Sequence, residues 1–214
     1  MQERTTYGRV LRLQGQPTKV DEDLKRWKEQ IFPLIKKQPG FRGVSLMINR
    51  KTGDGLSVAY WDSEKAMKDA RAQVRPQADK INEASQRRVV EEDECEVAVQ
   101  ERFKPPKAGV WVRVTTLQAD PAKVGPAIET YKSKVVPIVR EQPGARAAIL
   151  LVNRQTGKTF SGTIWETEED LRKSEAAVTG LRDEIAKNVG ARAPKVEAFE
   201  IAFTEILTPV GASR

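Results

Sequence analysis

The sequence predicts an α+β protein made of two copies of one βαββαβ unit. Three observations support this fold class. The 214-residue chain aligns with itself after a shift of 104 residues, which is the distance from Gln38 to Gln142. Each copy has two segments whose apolar residues recur at helical spacing. The other segments of each copy alternate apolar and polar residues, as half-buried strands do.

The repeat needs no gap between its matched residues. Gln38-Pro39-Gly40 matches Gln142-Pro143-Gly144, and Asn49-Arg50 matches Asn153-Arg154. A repeat of this length has the size of a small domain and is too long for a solenoid unit. We therefore predict a first copy at residues 1–103, a proline-containing linker at 104–109 and a second copy at 110–214.

In each copy a first strand is followed by a long helix. In the first copy the strand is predicted at about residues 7–13 and the helix at about 18–37. Pro33 and its repeat Pro137 sit late in their helices, so we expect a kink or an early end there. One face of the first helix is apolar, and its members are Val20, Leu24, Trp27, Ile31 and Ile35.

A hairpin, a second helix and a last strand complete each copy. The hairpin strands are predicted at about 42–49 and 56–61, joined by a turn at Thr52-Gly53. The second helix begins after Asp62-Ser63, and Pro76 is expected to break it in the first copy. The last strand is predicted at about 94–102 and again at 198–206.

One unit of this kind is ferredoxin-like, with both helices on one face of its sheet and the other face bare. A second copy on the same chain is the obvious cover for the bare face. We therefore predict that two ferredoxin-like βαββαβ units form an intrachain, pseudo-dimeric α+β barrel.

The composition excludes several classes of site. The chain has one cysteine and no histidine. Without histidine there is no Ser-His-Asp or Cys-His nucleophilic site, no His-ligated haem and no His-rich metal site. One cysteine excludes an intrachain disulfide framework. We therefore expect neither a metal nor another cofactor.

The net charge of +7 comes from 37 basic and 30 acidic residues that are interleaved along the chain. Interleaving is typical of solvated helix faces, so a nucleic-acid partner is not expected. No apolar run is long enough to span a membrane, and the N-terminus lacks the apolar core of a signal peptide. We expect a cytoplasmic protein without a membrane partner.

Several motifs of both copies resemble those of the antibiotic biosynthesis monooxygenase family of dimeric α+β barrels. In the first copy they are Pro33, Gln38-Pro39-Gly40-Phe41, Asn49-Arg50 and Trp61-Asp62-Ser63-Glu64, and in the second they are Pro137, Gln142-Pro143-Gly144, Asn153-Arg154 and Trp165. The resemblance implies the ferredoxin-like fold. It also implies a relation to cofactor-independent monooxygenases of quinols and aromatic polyketides, and to haem-degrading enzymes.

The resemblance assigns some site positions and excludes others. The active-site tryptophan of the family matches Trp61 and Trp165, near the end of the third strand of each copy. The active-site asparagine of its enzymes lies on the first strand, where this chain has Arg9 and Arg113. Haem-degrading members need a histidine on the second helix. The chain has none, so that route of haem degradation is not expected.

Strand alternation suggests where a cavity would lie. Val44, Leu46 and Ile48 read as the helix-side face of the second strand, and Leu56, Val58 and Tyr60 as that of the third. The opposite, smaller residues would then line a cavity in the barrel interior. The candidate pocket residues are Arg9, Met47, Asn49, Trp61, Arg113, Asn153 and Trp165.

Each candidate has a structural alternative. Arg9 would pair with Glu96, and Arg113 with Glu200, because a buried arginine needs a partner; otherwise these arginines would hold a ligand anion. Both tryptophans could be core residues or ligand walls. Asn49 and Asn153 could cap turns or bind a ligand.

Two functions follow from the sequence. In the first, the barrel is a cofactor-independent monooxygenase of an aromatic or quinol-like small molecule. In the second, it is a non-catalytic small-molecule binder or an assembly module. An aromatic ligand is the expected partner, and association of barrels into homo-oligomers stays open.

Overall fold

The computed structural model describes residues 6–191 and 193–207. In the first copy the elements follow the predicted order. The strands are β1 (Tyr7–Gln14), β2 (Phe41–Ile48), β3 (Gly55–Trp61) and β4 (Arg88–Arg102). The helices are α1 (Val20–Arg26), α2 (Phe32–Lys36) and α3 (Glu64–Ala84), with a π-helical segment, Trp27–Ile31, between α1 and α2.

The second copy repeats this order with one change, a helix divided in two. Its strands are β5 (Val110–Gln118), β6 (Ala145–Val152), β7 (Lys158–Trp165) and β8 (Lys195–Ile206). Its helices are α4 (Val124–Thr130), α5 (Val136–Glu141), α6 (Glu168–Lys173) and α7 (Glu175–Asn188), with a π-helical segment at Tyr131–Val135. The undivided helix α3 of the first copy is therefore represented by α6 and α7.

The strand order confirms the predicted fold class. The strands hydrogen-bond in the closed order β1-β3-β2-β8-β5-β7-β6-β4. Within each copy the third strand lies between the first and the second, with antiparallel pairing on both sides. This is the α+β barrel expected from two ferredoxin-like units. Among residues 6–191 and 193–207, no helix is both long and apolar enough to cross a membrane.

The chain divides into two compact units whose limits differ from those of the sequence repeat. One, the central unit, is the continuous segment Cys95–Glu200. The other, the N-terminal unit, combines Met1–Glu94 with Ile201–Arg214. Strands β4 and β8 each pass from one unit to the other. The domain limits at 103 and 110 stay a prediction about the repeat.

Each unit has a core between its helices and one face of its strands. In the N-terminal unit, Trp27 lies among aromatic rings, with centroids 5.9 Å from Phe32 and 5.4 Å from Phe203. Phe203 belongs to β8, so the last strand contributes to the core of the first helices. In the central unit, Trp165 is fully buried beside Leu150 and Leu171.

The prolines change the helices less than predicted. The first helix continues through Pro33 to Lys36, and π winding occupies the turn just before it. Proline lacks an N–H and its ring clashes with the carbonyl four residues earlier, and the wider π turn relieves both problems. Pro76 was expected to break α3, but that helix runs unbroken to Ala84 because its face at Met67 and Val74 is buried in the core.

The Gln-Pro-Gly turns fix the chain between helix and strand. Gly40 has φ +76°, which favours glycine, and its carbonyl accepts a 2.9 Å hydrogen bond from the Asp62 N–H. A Cβ on Gly40 would lie 2.5 Å from Asp62 Oδ1 and 2.7 Å from Ala66 Cβ. Gly144 occupies the same position, φ +74°, against Asp170. Both copies therefore require glycine here.

Candidate functional site

The pairing of β1 with β3 places Arg9 under the helices. Arg9 lies opposite Ala59, and Ala59 and Trp61 both belong to the helix-side core. Arg113 takes the same place in the second copy, beside the helix-side Trp165. The expectation that these arginines and tryptophans face the barrel interior is therefore wrong.

The error has a physical cause, which is that β3 is buried on both faces. All seven of its residues are buried, so hydrophobicity does not distinguish the two faces. Val44 and Leu46 of β2 do lie in the helix-side core, as predicted. Their partners across the hairpin are Ala59 and Ser57, so the register assigns these small residues to the same face.

A cavity of about 50 Å³ lies between the strands and helices of the N-terminal unit. Arg9 lines it and is only 5% exposed. No residue in the described part of the chain accepts a hydrogen bond from Arg9 Nε. The apolar part of the lining includes Leu11, Leu13, Trp27, Ile31, Ile35 and Val74.

Two arginines of α3 and a glutamate of β4 also line this cavity. Arg71 Nε donates to Glu92 Oε1 at 2.5 Å, and Arg75 Nη1 donates to Glu92 Oε2 at 3.0 Å. Burial lowers the pKa of Arg9, and the negative charge of Glu92 opposes that shift. The hydrogen bond to Glu92 raises the pKa of Arg71. Both carboxylate oxygens of Glu92 are thus engaged by α3.

The central unit has a larger cavity of about 80 Å³ in the equivalent place. Its apolar lining includes Leu117, Ala127, Val135, Leu150, Val178 and Ile185. Its polar lining is Arg113, Thr115, Tyr131, Ser161, Thr163 and Arg182. An apolar cavity with a few convergent polar groups is typical of a small-molecule site.

Arg113 is held by three partners at the junction of α6 and α7. Its Nη1 donates to Ser174 Oγ at 3.0 Å, and its Nη2 lies 2.9 Å from Glu175 Oε2 and donates to the Leu171 carbonyl. The helix is interrupted at Ser174, so Leu171 offers its carbonyl to this side chain. Burial lowers the pKa of Arg113, and Glu175 opposes the shift.

Arg182 also lines this cavity, and only one of its two terminal nitrogens has an acceptor among the described residues. Its Nη2 donates to Glu175 Oε1 at 2.5 Å and to Thr179 Oγ1 at 3.2 Å. Its Nη1 is buried, and nothing in residues 6–191 and 193–207 accepts a hydrogen bond from it. Burial alone would raise the pKa of Glu175, but the hydrogen bond from Arg182 and the charge of Arg113 together lower it.

Tyr131 stands in this cavity where Trp27 stands in the other. Its hydroxyl donates to the Ile149 carbonyl at 3.1 Å and accepts from Ser161 Oγ at 3.2 Å. Burial raises the pKa of Tyr131, and its two hydrogen bonds only partly oppose that rise. The hydroxyl therefore stays protonated and is a positioned polar group, not a base.

The remaining candidate pocket residues lie outside both cavities. Asn49 Oδ1 accepts hydrogen bonds from the N–H groups of Lys51 at 2.9 Å and Thr52 at 3.3 Å. Asn153 caps its turn in the same way, at 3.0 Å from Gln155 N and Thr156 N. The asparagines are turn caps in both hairpins. Met47 is buried, but it alternates with the helix-side Leu46 and Ile48 and so faces away.

The predicted ion pairs are replaced by others. Glu96 binds Arg154 at 2.6 and 3.0 Å, not Arg9. The carboxylate bound to Arg113 is that of Glu175, and not the Glu200 carboxylate predicted on the last strand. A bulge between Val97 and Val99 shifts the alternation of β4. The helix-side position of Arg113 brings it to Glu175 of α7, whereas the Glu92 carboxylate near Arg9 is bound by Arg71 and Arg75.

Sequence reasoning missed one strand residue, Glu92 of β4, and the residues that the helices bring to the cavities. The helical residues are Arg71, Arg75, Tyr131, Glu175 and Arg182. Helical spacing could have found the first of them, since Arg71 comes four residues after the buried Met67 and three before the buried Val74. The repeat could have found Tyr131, which matches Trp27 on the apolar face of the first helix.

The fold and the placement of these cavities define a ferredoxin-like α+β barrel protein with a helix-covered cavity in each copy. Residues 6–81 match the family model described as antibiotic biosynthesis monooxygenase. Residues 6–81 are thus similar to that family, and the resemblance predicted from the motifs is confirmed.

Similar proteins extend the likeness over nearly the whole chain. An uncharacterized protein of Mycobacterium tuberculosis (strain ATCC 25618 / H37Rv) is 26% identical over 203 residues, covering 95% of this chain and 90% of that one. The solved structure of an anthrone oxidase-like protein superimposes with a TM-score of 0.69 at 12% identity, covering 96% of this chain and 94% of that one.

A second solved structure shows the same fold. It is a ferredoxin fold protein of Listeria monocytogenes 4b F2365, related to antibiotic biosynthesis monooxygenases. Its TM-score is 0.56 at 11% identity, with 92% of this chain and 96% of that one covered. At such identities, both structures support the fold of this chain and not its activity.

Proposed function

We propose that the protein is a cofactor-independent monooxygenase that takes a single-ring quinol in the cavity of the central unit. The observation that carries this proposal is the buried Nη1 of Arg182, which lines the cavity and has no hydrogen-bond acceptor among the described residues. A buried donor of this kind is costly unless a ligand oxygen satisfies it.

The site would act by favouring the ionised form of the substrate. Arg182 would bind the quinol oxygen, and the charge of Arg113 nearby would lower the pKa of that hydroxyl. Thr115, Thr163 and Ser161 add polar groups that could orient a second oxygen. An anionic quinol reduces O₂ directly, so that quinol and O₂ give a hydroxylated quinone and water, and the quinol supplies all the electrons.

The size of the cavity limits the substrate. Its open space of about 80 Å³ is smaller than the roughly 300 Å³ at which ligand pockets usually begin. A single ring is therefore a better fit than the three fused rings of an anthrone. The interruption of the helix at Ser174 is a natural place for the wall to move when a ring enters.

The experiment follows O₂ consumption with hydroquinone and methylhydroquinone, corrected for autoxidation, beside anthrone as the larger probe. Arg182→Met should reduce quinol turnover at least tenfold because a charge-assisted hydrogen bond is lost. Arg172→Met, on the exposed side of α6, is the matched control and should keep the rate. A wild-type protein that does not exceed autoxidation with any probe would overturn the proposal.

The alternative function is non-catalytic binding of a small aromatic molecule. One observation favours it: Ser174, Glu175 and Leu171 already hold both terminal nitrogens of Arg113, so this side chain has little freedom to follow a changing substrate. Tryptophan fluorescence distinguishes the two functions. A saturable change with hydroquinone but no O₂ consumption would indicate a binder.

A further inference from the structure

The two cavities differ at the arginine that both copies place under the helices. Arg113 has three partners in the central unit, and its carboxylate comes from Glu175 on α7. The residue that matches Glu175 in the first copy is Arg71, so a positive charge replaces the carboxylate that binds Arg113, and the acid that acts most on Arg9 is Glu92. Arg9 is 5% exposed, and no acceptor for its Nε exists in the described part of the chain.

We infer that the cavity of the N-terminal unit binds a small apolar carboxylic acid, whose carboxylate pairs with Arg9. The charge of the lining supports this inference, because three arginines (Arg9, Arg71, Arg75) face only two acids (Asp79, Glu92). Asp79 lies 3.4 Å from Arg75, and Glu92 is bound by Arg71 and Arg75. One positive charge, that of Arg9, thus remains for a ligand.

The residues that line the cavity determine both the charged group and the apolar part of the ligand. A guanidinium presents a planar pair of donors that matches a carboxylate. Leu11, Leu13 and Val74 surround it with apolar surface, which suits a hydrocarbon tail or ring and not a second polar group. The open space of about 50 Å³ accommodates the carboxylate and the start of the tail. The half-exposed Arg75 marks the side on which the tail would leave.

This inference concerns a different cavity from the proposed oxygenase site and does not depend on it. Its ligand stands in place of the acid that Glu175 supplies in the central unit. Duplication would have left one copy with an internal carboxylate and the other with a place for an external one.

Titration of the full-length protein with benzoate tests the inference, with calorimetry and thermal unfolding as readouts. Benzoate should bind saturably with one site and raise the Tm, whereas benzamide, of the same shape but uncharged, should bind at least tenfold more weakly. Binding should persist at about 0.5 M NaCl, because a buried pair is screened far less than a surface pair. Loss of binding at that salt would identify a surface arginine site instead and overturn the inference.

Two variants test whether benzoate binds in the cavity of the N-terminal unit. Arg9→Gln should weaken benzoate binding at least tenfold, whereas Arg154→Gln, a surface arginine of the central unit, should leave it unchanged. Ala78→Phe keeps Arg9 and fills the cavity, and the matching position in the second copy is Arg182, so a long side chain fits there. Ala78→Phe should also abolish binding. Equal affinity of wild type and either cavity variant, or of benzoate and benzamide, would overturn the inference.

Discussion

Trp61 and Trp165 occupy matching positions, yet only one indole has a hydrogen-bond partner among the described residues. Trp165 Nε1 donates to Thr163 Oγ1 at 3.1 Å. Trp61 Nε1 is buried and has no acceptor within the described ranges, because the residue matching Thr163 is Ala59. A buried N–H without a partner costs about 1–3 kcal/mol.

Ala59→Thr should therefore stabilise the protein by about 1 kcal/mol, because the new hydroxyl accepts the bond from Trp61. Urea unfolding followed by fluorescence measures the change. Valine has the same shape as threonine but lacks the hydroxyl, so Ala59→Val serves as the matched control. Equal stability of the threonine and valine variants would show that the missing acceptor is not what matters.

Glu175 should make the stability of the protein depend on pH in the acid range. Its pKa is lowered below the ordinary 4.5 because Arg182 and Arg113 outweigh the effect of burial. A carboxyl with a lowered folded-state pKa stabilises the fold fully above its unfolded pKa, and this stability is lost as the pH falls through the folded pKa.

The variant Glu175→Gln should thus be less stable than wild type from about pH 6 to 8, and the difference should shrink below about pH 4.5. Denaturant unfolding at several pH values measures the two curves. Glu184→Gln removes a charge from the exposed side of the same helix and is the control. A constant difference down to pH 3 would show that the Glu175 charge contributes nothing.

Among the elements, the Gln-Pro-Gly turns leave the least freedom for substitution. Gly40→Ala should destabilise the protein by about 2–4 kcal/mol, from the positive φ and from the contact of the new Cβ with Asp62 and Ala66. Gly109→Ala is the matched control, since Gly109 also has φ +76° but meets no described atom within 4 Å of a Cβ. It should cost about 1–2 kcal/mol. Equal losses, measured by thermal unfolding, would contradict the close contact.

The elements also show how far the sequence can predict this molecule. Helices and strands follow from local periodicity, and the turns from glycine and asparagine, so their bounds lie within a few residues of those predicted, except that β4 begins six residues early. The faces of β1 and β3 could not be predicted from hydrophobicity, because Val10 and Val58 are buried on the face opposite Arg9 and Trp61. Register was the missing information, and it depends on tertiary pairing.

The candidate site could be predicted only in its strand residues. Arg9 and Arg113 were placed at the site by the resemblance, and the structure gives each a cavity. The side chains that distinguish the two cavities come from helices. Which residues they contact depends on tertiary packing between segments that are far apart in sequence. Trp27 against Tyr131 and Arg71 against Glu175 are such differences between the copies.

At the scale of the whole molecule, charge occupies solvated helix faces as the interleaved sequence suggested. Lys65 pairs with Asp69 at 2.5 Å and Lys68 with Glu64 at 2.6 Å, all on the exposed side of α3. The two residues of each pair lie one helical turn apart, and each pair contributes little to the stability of the protein. The cytoplasmic location, the lack of a nucleic-acid partner and association into homo-oligomers stay predictions.

The last strand packs against the first helices, so a substitution in β8 should destabilise the helices near the N-terminus. Phe203→Ala removes a ring whose centroid lies 4.8 Å from that of Phe32. It should destabilise the protein by about 2–3 kcal/mol, less than a fully buried phenylalanine because Phe203 is half-buried.

Hydrogen exchange then shows which part of the protein loses stability in Phe203→Ala. Amides of residues 20–36 should exchange faster in Phe203→Ala, and those of α7 in the central unit should not. Phe203→Leu keeps most of the volume and should show a smaller effect. Faster exchange spread evenly over both units would contradict the division of the chain.

The passage of β4 and β8 between the units has a consequence for synthesis on the ribosome. The central unit is one continuous stretch, Cys95–Glu200, whereas the N-terminal unit needs residues from both ends of the chain. The part of the protein made first is therefore completed last, after β8 has left the exit tunnel. Until then, the nascent helices around Trp27 lack the Phe203 ring that covers them, and this is the interval in which the growing chain most needs protection from aggregation.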